Sequence, residues 1–431
     1  MSMPIIKTIL FIIFFLFAFN ITTVSAIELI AGQQSIAFHG YFRSSLGFSQ
    51  HGDTQAKFQL PEARAKYRLG NEPDTNMELE IDYSYALTDP ENKNANIQGV
   101  IMLDGYANQG DSNNFSLDNL AQAYFSFNKL INNDLNIWFG RRYYQRKSIH
   151  IMNHFWLNPG QNSHLGLGLE GQPFGRGKLD IALFRNEDDF TISSTAYLIN
   201  STVIDARWHS LAINKNTKLT AWVQLANRSA LASLDYDRKS GGSLGGWLDY
   251  QFKDLKNTSF VMYQTGAAIT QSGTNPRTVR EDQGWNLDKA NVFEINNMLT
   301  YEALPNYSFQ WSLLFRQDDR GTAGDSIIEW YSTGIRPIFY FSKHLNLALE
   351  AGVDYIDDEV NNRSGHLTKF TTALQISADR GFKSRPVLRF FVTLADWDDD
   401  FKGFVGNIPG NAPYGNDTSG WTIGAQAEAW W

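Results

Sequence analysis

Three extended stretches place rings and charges on one parity and grease on the other. In residues 36–48, Ile36, Phe38, Phe42, Leu46 and Phe48 alternate with His39, Tyr41, Arg43 and Ser45. In residues 76–85, Met77, Leu79, Ile81, Tyr83 and Tyr85 alternate with Asn76, Glu78, Glu80, Asp82 and Ser84. The chain ends the same way: Trp421, Ile423, Ala425, Ala427, Ala429 and Trp431 face away from Thr422, Gly424, Gln426 and Glu428, with Trp430 a large aromatic on the wet side. A fourth stretch, residues 65–69, adds Arg68. Tyr41, Arg43, Arg68, Asn76, Glu78 and Trp430 therefore share a wet face that mixes ring surfaces with strong hydrogen-bonding groups. Sugars have a matching pair of surfaces. Their C–H faces stack on rings, and their hydroxyls both donate and accept. An aromatic track beside Arg and Glu would bind a sugar and still let it leave, as conduction requires. A plainer reading has Arg43, Arg68 and Glu78 pairing across a wall while Tyr41 and Trp430 fill space or join an interfacial girdle, where Trp431 belongs.

The elements that would carry these residues are β-strands, because side chains alternate faces only on a strand. Three carboxylates on one face of residues 76–85 would be costly in a dry core and tolerable against water. That favours a water-filled barrel over a packed sandwich. Residues 1–26 read as a secretory signal: Lys7, an apolar run from Ile9 to Phe19, then small residues ending at Ala26. The remainder, 27–431, is expected to be one transmembrane barrel domain. No later run is long and apolar enough for a membrane helix, and a mean hydropathy of −0.33 fits strands that show lipid only every second side chain. There is no cysteine, so stability must come from elsewhere, and a closed ladder of backbone hydrogen bonds can supply it. A net charge of −8 argues against nucleic acid as a partner. The eight histidines are scattered and no short Ser–His constellation stands out, so nothing supports an enzyme, and no cofactor or metal is expected.

Strands are also expected over residues 121–130, 135–143, 178–184, 218–225, 245–252, 259–265, 308–316, 345–355, 368–377 and 387–395. Residues 87–119, mostly polar and rich in Gly and Asn, read as a long loop with room for one short element. Short connections (214–217, 254–257, 304–306, 342–344) roughly alternate with long polar ones (266–290, 318–326, 357–366, 396–420), as in a transmembrane antiparallel barrel. About eighteen strands of roughly ten residues would use up the chain. At that width side chains no longer fill the bore, so the molecule is a pore. Residues 141–160, rich in cations and aromatics, would narrow that pore if folded inward.

Several blocks, in order along the chain, resemble the maltoporin family. They are Phe38-His-Gly-Tyr-Phe-Arg-Ser44, Lys66-Tyr-Arg-Leu-Gly-Asn-Glu72, Tyr144-Gln-Arg146 with His150, Gly334-Ile-Arg-Pro337, Ser384-Arg-Pro386, and Thr422-Ile-Gly-Ala-Gln426 through Trp431. The resemblance implies an 18-stranded, homotrimeric outer-membrane channel for maltose and maltodextrins, its third loop folded inside. It aligns Tyr41 and Trp430 with two positions of the family's aromatic slide. It aligns Arg43, Arg68, Glu78 and Arg146 with the polar constriction. Elsewhere the chain departs from the pattern. Asn76, Asn257 and Lys383 stand where the family has a tyrosine, a phenylalanine and a tryptophan of the slide. In the constriction, Asn153 replaces an aspartate and Phe155 a tyrosine. The slide tryptophan of the family's second loop has no match. A thinner slide is compatible with a different sugar, or with a general diffusion pore on the same scaffold. A receptor or adhesin role for the long loops could coexist with transport.

Overall fold

The computed structural model describes residues 27–52, 54–87, 94–109, 115–161, 163–271, 277–406 and 413–431. The expected signal segment, 1–26, lies outside them. The first strands are β1 (Ile27–Ala31), β2 (Gln34–Ser49), β3 (Asp74–Ala86), β4 (Asn96–Asn108), β5 (Asn119–Asn128) and β6 (Asn136–Arg141). Two short strands, β7 (Lys147–Ile149) and β8 (His154–Leu157), form a separate hairpin. Then come β9 (Ser163–Phe174), β10 (Gly177–Ile192), β11 (Thr195–Asn214), β12 (Thr217–Arg228), β13 (Lys239–Phe252), β14 (Leu255–Thr265) and β15 (Asn291–Ala303). The series ends with β16 (Tyr307–Asp319), β17 (Ile327–Tyr340), β18 (Leu345–Asp358), β19 (Arg363–Ser377), β20 (Val387–Trp397) and β21 (Ser419–Trp430).

Each wall strand pairs antiparallel with the next, β6 passes directly to β9, and β21 closes on β2 from Tyr41↔Trp430 to Ser49↔Thr422. The result is a closed 18-stranded barrel without α-helices among the described residues. β1 lies outside the eighteen. It pairs with the start of β2 just below Trp431, whose backbone exchanges both hydrogen bonds with Gly40.

One parity of each strand is greasy and exposed, such as Leu46 and Phe48 on β2 or Trp421 and Ile423 on β21, and suits lipid. The other parity carries the buried polar groups. Connections 175–176, 215–216, 253–254 and 304–306 close one rim, while 50–73, 142–162, 266–290 and 398–418 leave from the other. Two connections at the long rim, 193–194 and 359–362, are tight turns.

The interior is asymmetric. Against β13–β18, residues from the 50–73 and 142–162 connections pack as a dry core. Tyr67, Leu69, Ile151, Met152 and Trp156 meet inward-facing Trp247, Phe260, Leu314 and Trp330. Tyr67 lies on Gly334 and Gly352, a cross-strand pair where any Cβ would enter its ring, and its hydroxyl is 3.0 Å from Ser332 Oγ. His154 Nε2 sits 2.9 Å from Glu294, and the Ile151 N–H donates to Gln310 at 3.1 Å.

Three expectations need correction. Residues 65–69 are not a wall strand. They belong to the connection between β2 and β3 and bond to residues 151–152 instead, Arg68 N–H to the Ile151 carbonyl at 3.0 Å. The alternation is real, but its apolar side meets the dry core rather than lipid. Residues 87–119 hold more than a short element, because the 13-residue β4 runs through them; Gly99, Gly105 and inward Gln98 and Asp104 interrupt its apolar pattern. Residues 357–366 are not a long loop, because β18 and β19 remain extended through that acidic run and turn at 359–362.

Candidate functional site

The wall from β20, whose Phe391 still touches the dry core, through β21 and β2 to β4 carries most of the residues singled out in the sequence. Tyr41 and Trp430 are direct cross-strand partners with stacked rings, 6.5 Å between centroids at 18°. Trp430 also meets His150 edge-on at 6.2 Å, and His150 meets Phe382 edge-on at 6.0 Å. Arg385 lies over the indole at 4.2 Å. A ring series thus runs along the inner wall, flanked by guanidinium groups.

Beneath it lies a closed ionic network. Glu428 is 2 % exposed and accepts from Tyr41 Oη (3.1 Å), Arg68 Nη2 (2.9 Å), Arg385 Nε (2.7 Å) and Arg389 Nη2 (2.7 Å). Arg43 donates to Glu72 (2.8 Å) and Asp74 (2.8 Å), and Arg68 donates to Glu72 (2.9 Å). Buried charges are tolerated only when paired and hydrogen-bonded, and here each cation reaches at least one carboxylate. Burial raises the Glu72 carboxyl, but Arg43 and Arg68 together hold it below the usual range. Burial, then Arg68, hold His150 well below the usual histidine value. Arg43 and Arg68 thus sit in the bore, yet they are saturated by protein partners.

A second group is open. Glu78 on β3 stands directly opposite Asp104 on β4, two like charges on one face, a costly arrangement. Across from them, Arg141 and Arg146 lie within electrostatic reach of Asp104, and Arg146 within reach of Glu78. No ion pair bridges the two sides among the described residues. The Arg146 guanidinium instead lies over the rings of Tyr143 (4.2 Å) and Phe155 (5.3 Å). Phe155 belongs to the β7–β8 hairpin, opposite Ser148. Asn153 occupies the turn of that hairpin with φ 56°, a conformation Asn tolerates well, and its N–H donates to the His150 carbonyl at 3.3 Å.

The structure therefore brings Tyr41, Arg43, Arg68 and Trp430 into one cluster, and Glu78, Arg146 and Phe155 into a neighbouring gap. Asn153 supports the hairpin rather than facing either group. The departures from the slide pattern have neighbours that supply rings. Asn76 is directly opposite Tyr106 on β4, whose ring is 55 % exposed on the inner face beside Arg43 and Asp74. Lys383 is exposed, but the adjacent Phe382 turns toward His150. Asn257 is directly opposite Tyr250 on β13, but it shares the parity of the exposed Val261 and Tyr263 rather than the inward one, and it donates to Ser259 Oγ at 3.1 Å.

Sequence reasoning missed Glu72, Asp104, Tyr106, Phe382, Arg385 and Arg389 as site residues. Glu428 was placed on the wet parity without a role, although it shares that parity with Trp430. Tyr106 and Asp104 lay in a stretch read as loop, and Phe382 sits in a connection where no period marks it.

The LamB porin family model matches residues 36–431. Solved structures similar to this chain include the outer-membrane channel DcaP of Acinetobacter baumannii, at 12% identity and TM-score 0.49, covering 94% of this chain and 100% of that one. OmpF of Salmonella typhi, in complex with daunomycin, matches at 11% identity and TM-score 0.49 over 93% of this chain and 100% of that one. A family match over nearly the whole described barrel, joined to eighteen strands closed through β2 and β21, makes this chain an outer-membrane β-barrel of the LamB porin family.

Proposed function

We propose that this porin mediates facilitated diffusion of sugars, with maltose and maltodextrin-like oligosaccharides as the best-fitting class. One observation carries the reading: the stacked Tyr41–Trp430 pair stands on a saturated ionic network beside the open gap between Glu78 and Arg146. The rings offer faces to sugar C–H groups. The gap offers acceptors on the wall and donors on the 141–160 segment, and a hydroxyl uses both. In this reading Tyr41, Arg43, Arg68, Glu78, Arg146, Asn153, Phe155 and Trp430 line or support the sugar path. The 141–160 segment is its constriction, and binding is weak enough for release. Residues 1–26 act as a cleaved signal, 27–431 form the barrel domain, and three copies assemble in the outer membrane. The chain's own side chains suffice for this, with no cofactor.

The test is the conductance of purified protein in planar bilayers. Maltose or a maltodextrin at millimolar concentration should block the ion current reversibly. No block by any mono- or oligosaccharide would overturn the reading. A general diffusion pore is the second reading, favoured by the polar residues at Asn76, Asn257 and Lys383. It requires sugar flux to be unchanged in Trp430→Ala.

A further inference from the structure

The bore holds a second polar surface, on the wall that follows the open gap. Below Glu78, successive carboxylates of β3 are tied to amides of the neighbouring strands: Gln122 Nε2 donates to Glu80 (2.7 Å) and Gln98 Nε2 to Asp82 (3.0 Å). The rungs end at the short-connection rim in a row of direct cross-strand partners. Asn96 on β4 faces Asn128 on β5, Asn128 faces Asn136 on β6, and Asn136 faces Glu170 on β9. Neighbouring strands are ~4.8 Å apart, so this row presents hydrogen-bonding groups at that interval.

Two adjoining cavities of about 660 and 360 Å³ open on this row and share Lys129, Asn136 and Glu170. Arg142 and Gln145, from the start of the 142–162 connection, line them and bind Glu170 at 2.8 and 2.7 Å. Tyr124 supplies a ring face on the larger cavity, beneath the Arg142 guanidinium at 5.0 Å. Asn128 donates to Asn96 at 2.8 Å, but the buried amide oxygen of Asn136 finds no hydrogen-bond partner among the described residues. A buried amide oxygen without a partner is destabilising, and a ligand hydroxyl would satisfy it.

We propose that this recess is a second saccharide subsite, separate from the Tyr41–Trp430 rings, which receives neutral sugar units at the short-connection mouth. It rests on the sugar-porin reading. Its chemistry differs from that of the ring series. Amides, each offering a donor and an acceptor, line it together with charged groups such as Lys129, Arg142 and Glu170 and a single ring face, so it takes hydroxyl arrays through hydrogen bonds rather than by stacking.

The test compares sugar entry from the two sides of channels inserted in known orientation. On-rates for maltotriose are taken from current-noise spectra with sugar added to one side at a time. The variants are Gln98→Leu/Asn136→Leu, which removes polar groups, and Asn136→Trp, which fills the recess. Folding is checked by unchanged single-channel ion conductance and heat-modifiable gel mobility. The on-rate from the short-connection side should fall about threefold to tenfold in both variants, the size of one or two lost hydrogen bonds, with entry from the long-connection side unchanged. Wild-type on-rates from the short-connection side in both variants, while maltotriose still blocks, would overturn this subsite alone. Absence of any block in the wild type would remove the sugar-porin reading and the subsite with it.

Discussion

The network around Glu428 and the gap around Glu78 lie a few residues apart on the same inner wall and use the same residue types, yet they are built oppositely. Around Glu428, four donors converge on one carboxylate; Glu72 and Asp74 take further hydrogens of Arg43 and Arg68, and Gln375 and Gln426 take those of Arg389. Around Glu78, two carboxylates are set opposite each other, the Asp104 side chain accepts from Asn119 alone among the described residues, and two arginines lie within electrostatic reach without pairing. A saturated network has few hydrogen bonds left to exchange with a solute. An unsaturated one can exchange partners with whatever passes. The first holds ring faces in place, and the second is free to grip. Residue type alone does not separate a structural charge from a working one; the count of partners does.

The largest effect that would sharpen this contrast is on stability. Glu428→Gln leaves Arg68, Arg385 and Arg389 buried without their shared charge and should cost about 3–5 kcal/mol in urea or heat unfolding, followed by gel mobility. Glu78→Gln, half-buried and outside any ion pair, should cost less than about 1 kcal/mol. Equal losses at the two positions would erase the distinction. Function should answer the other way. Arg146→Ala should lower sugar affinity about tenfold with unfolding unchanged, read from titration of the blocked current. The same variant should move the reversal potential toward cations, while Glu78→Gln or Asp104→Asn moves it toward anions.

A smaller effect concerns pH. His150 is held below its unfolded value, so the unfolded chain binds a proton that the barrel does not. Its contribution is therefore complete above about pH 6.5 and declines as pH falls below that value, by about 1 kcal/mol per unit. Unfolding midpoints measured from pH 7 to 5 should show this slope, and His150→Gln should flatten it. The smallest expected change is in Trp430→Ala, where loss of one stacking face should weaken sugar block about threefold.

The wall was legible wherever one face meets lipid and the other water. β2, β3 and β21 were readable residue by residue, and their parity alone placed Tyr41, Arg43, Glu78 and Trp430 inward. Opposite the site, β13, β14, β16 and β18 were legible too, because their alternation survives against the dry core. β15 and β17 were not; in β17 inward Trp330 stands beside outward Tyr331, so large apolar side chains fall on both faces. Arg68 was expected in the bore for the wrong reason, since it arrives on a connection rather than a wall strand. The partners of Glu428 come from residues 68, 385 and 389, and no local pattern announces a meeting of such distant segments.

The seam between β2 and β21 gives the site an unusual dependence on assembly. Tyr41 and Glu428 are 387 positions apart, and their hydrogen bond spans the one junction that turns a sheet into a ring. Loop-closure entropy makes that junction the most demanding pairing in the chain. An insertion intermediate with every other hairpin in place would still lack the stacked Tyr41–Trp430 pair. The fluorescence of Trp430 would therefore time the closing of the cylinder itself, and the proposed sugar binding would begin with the same step.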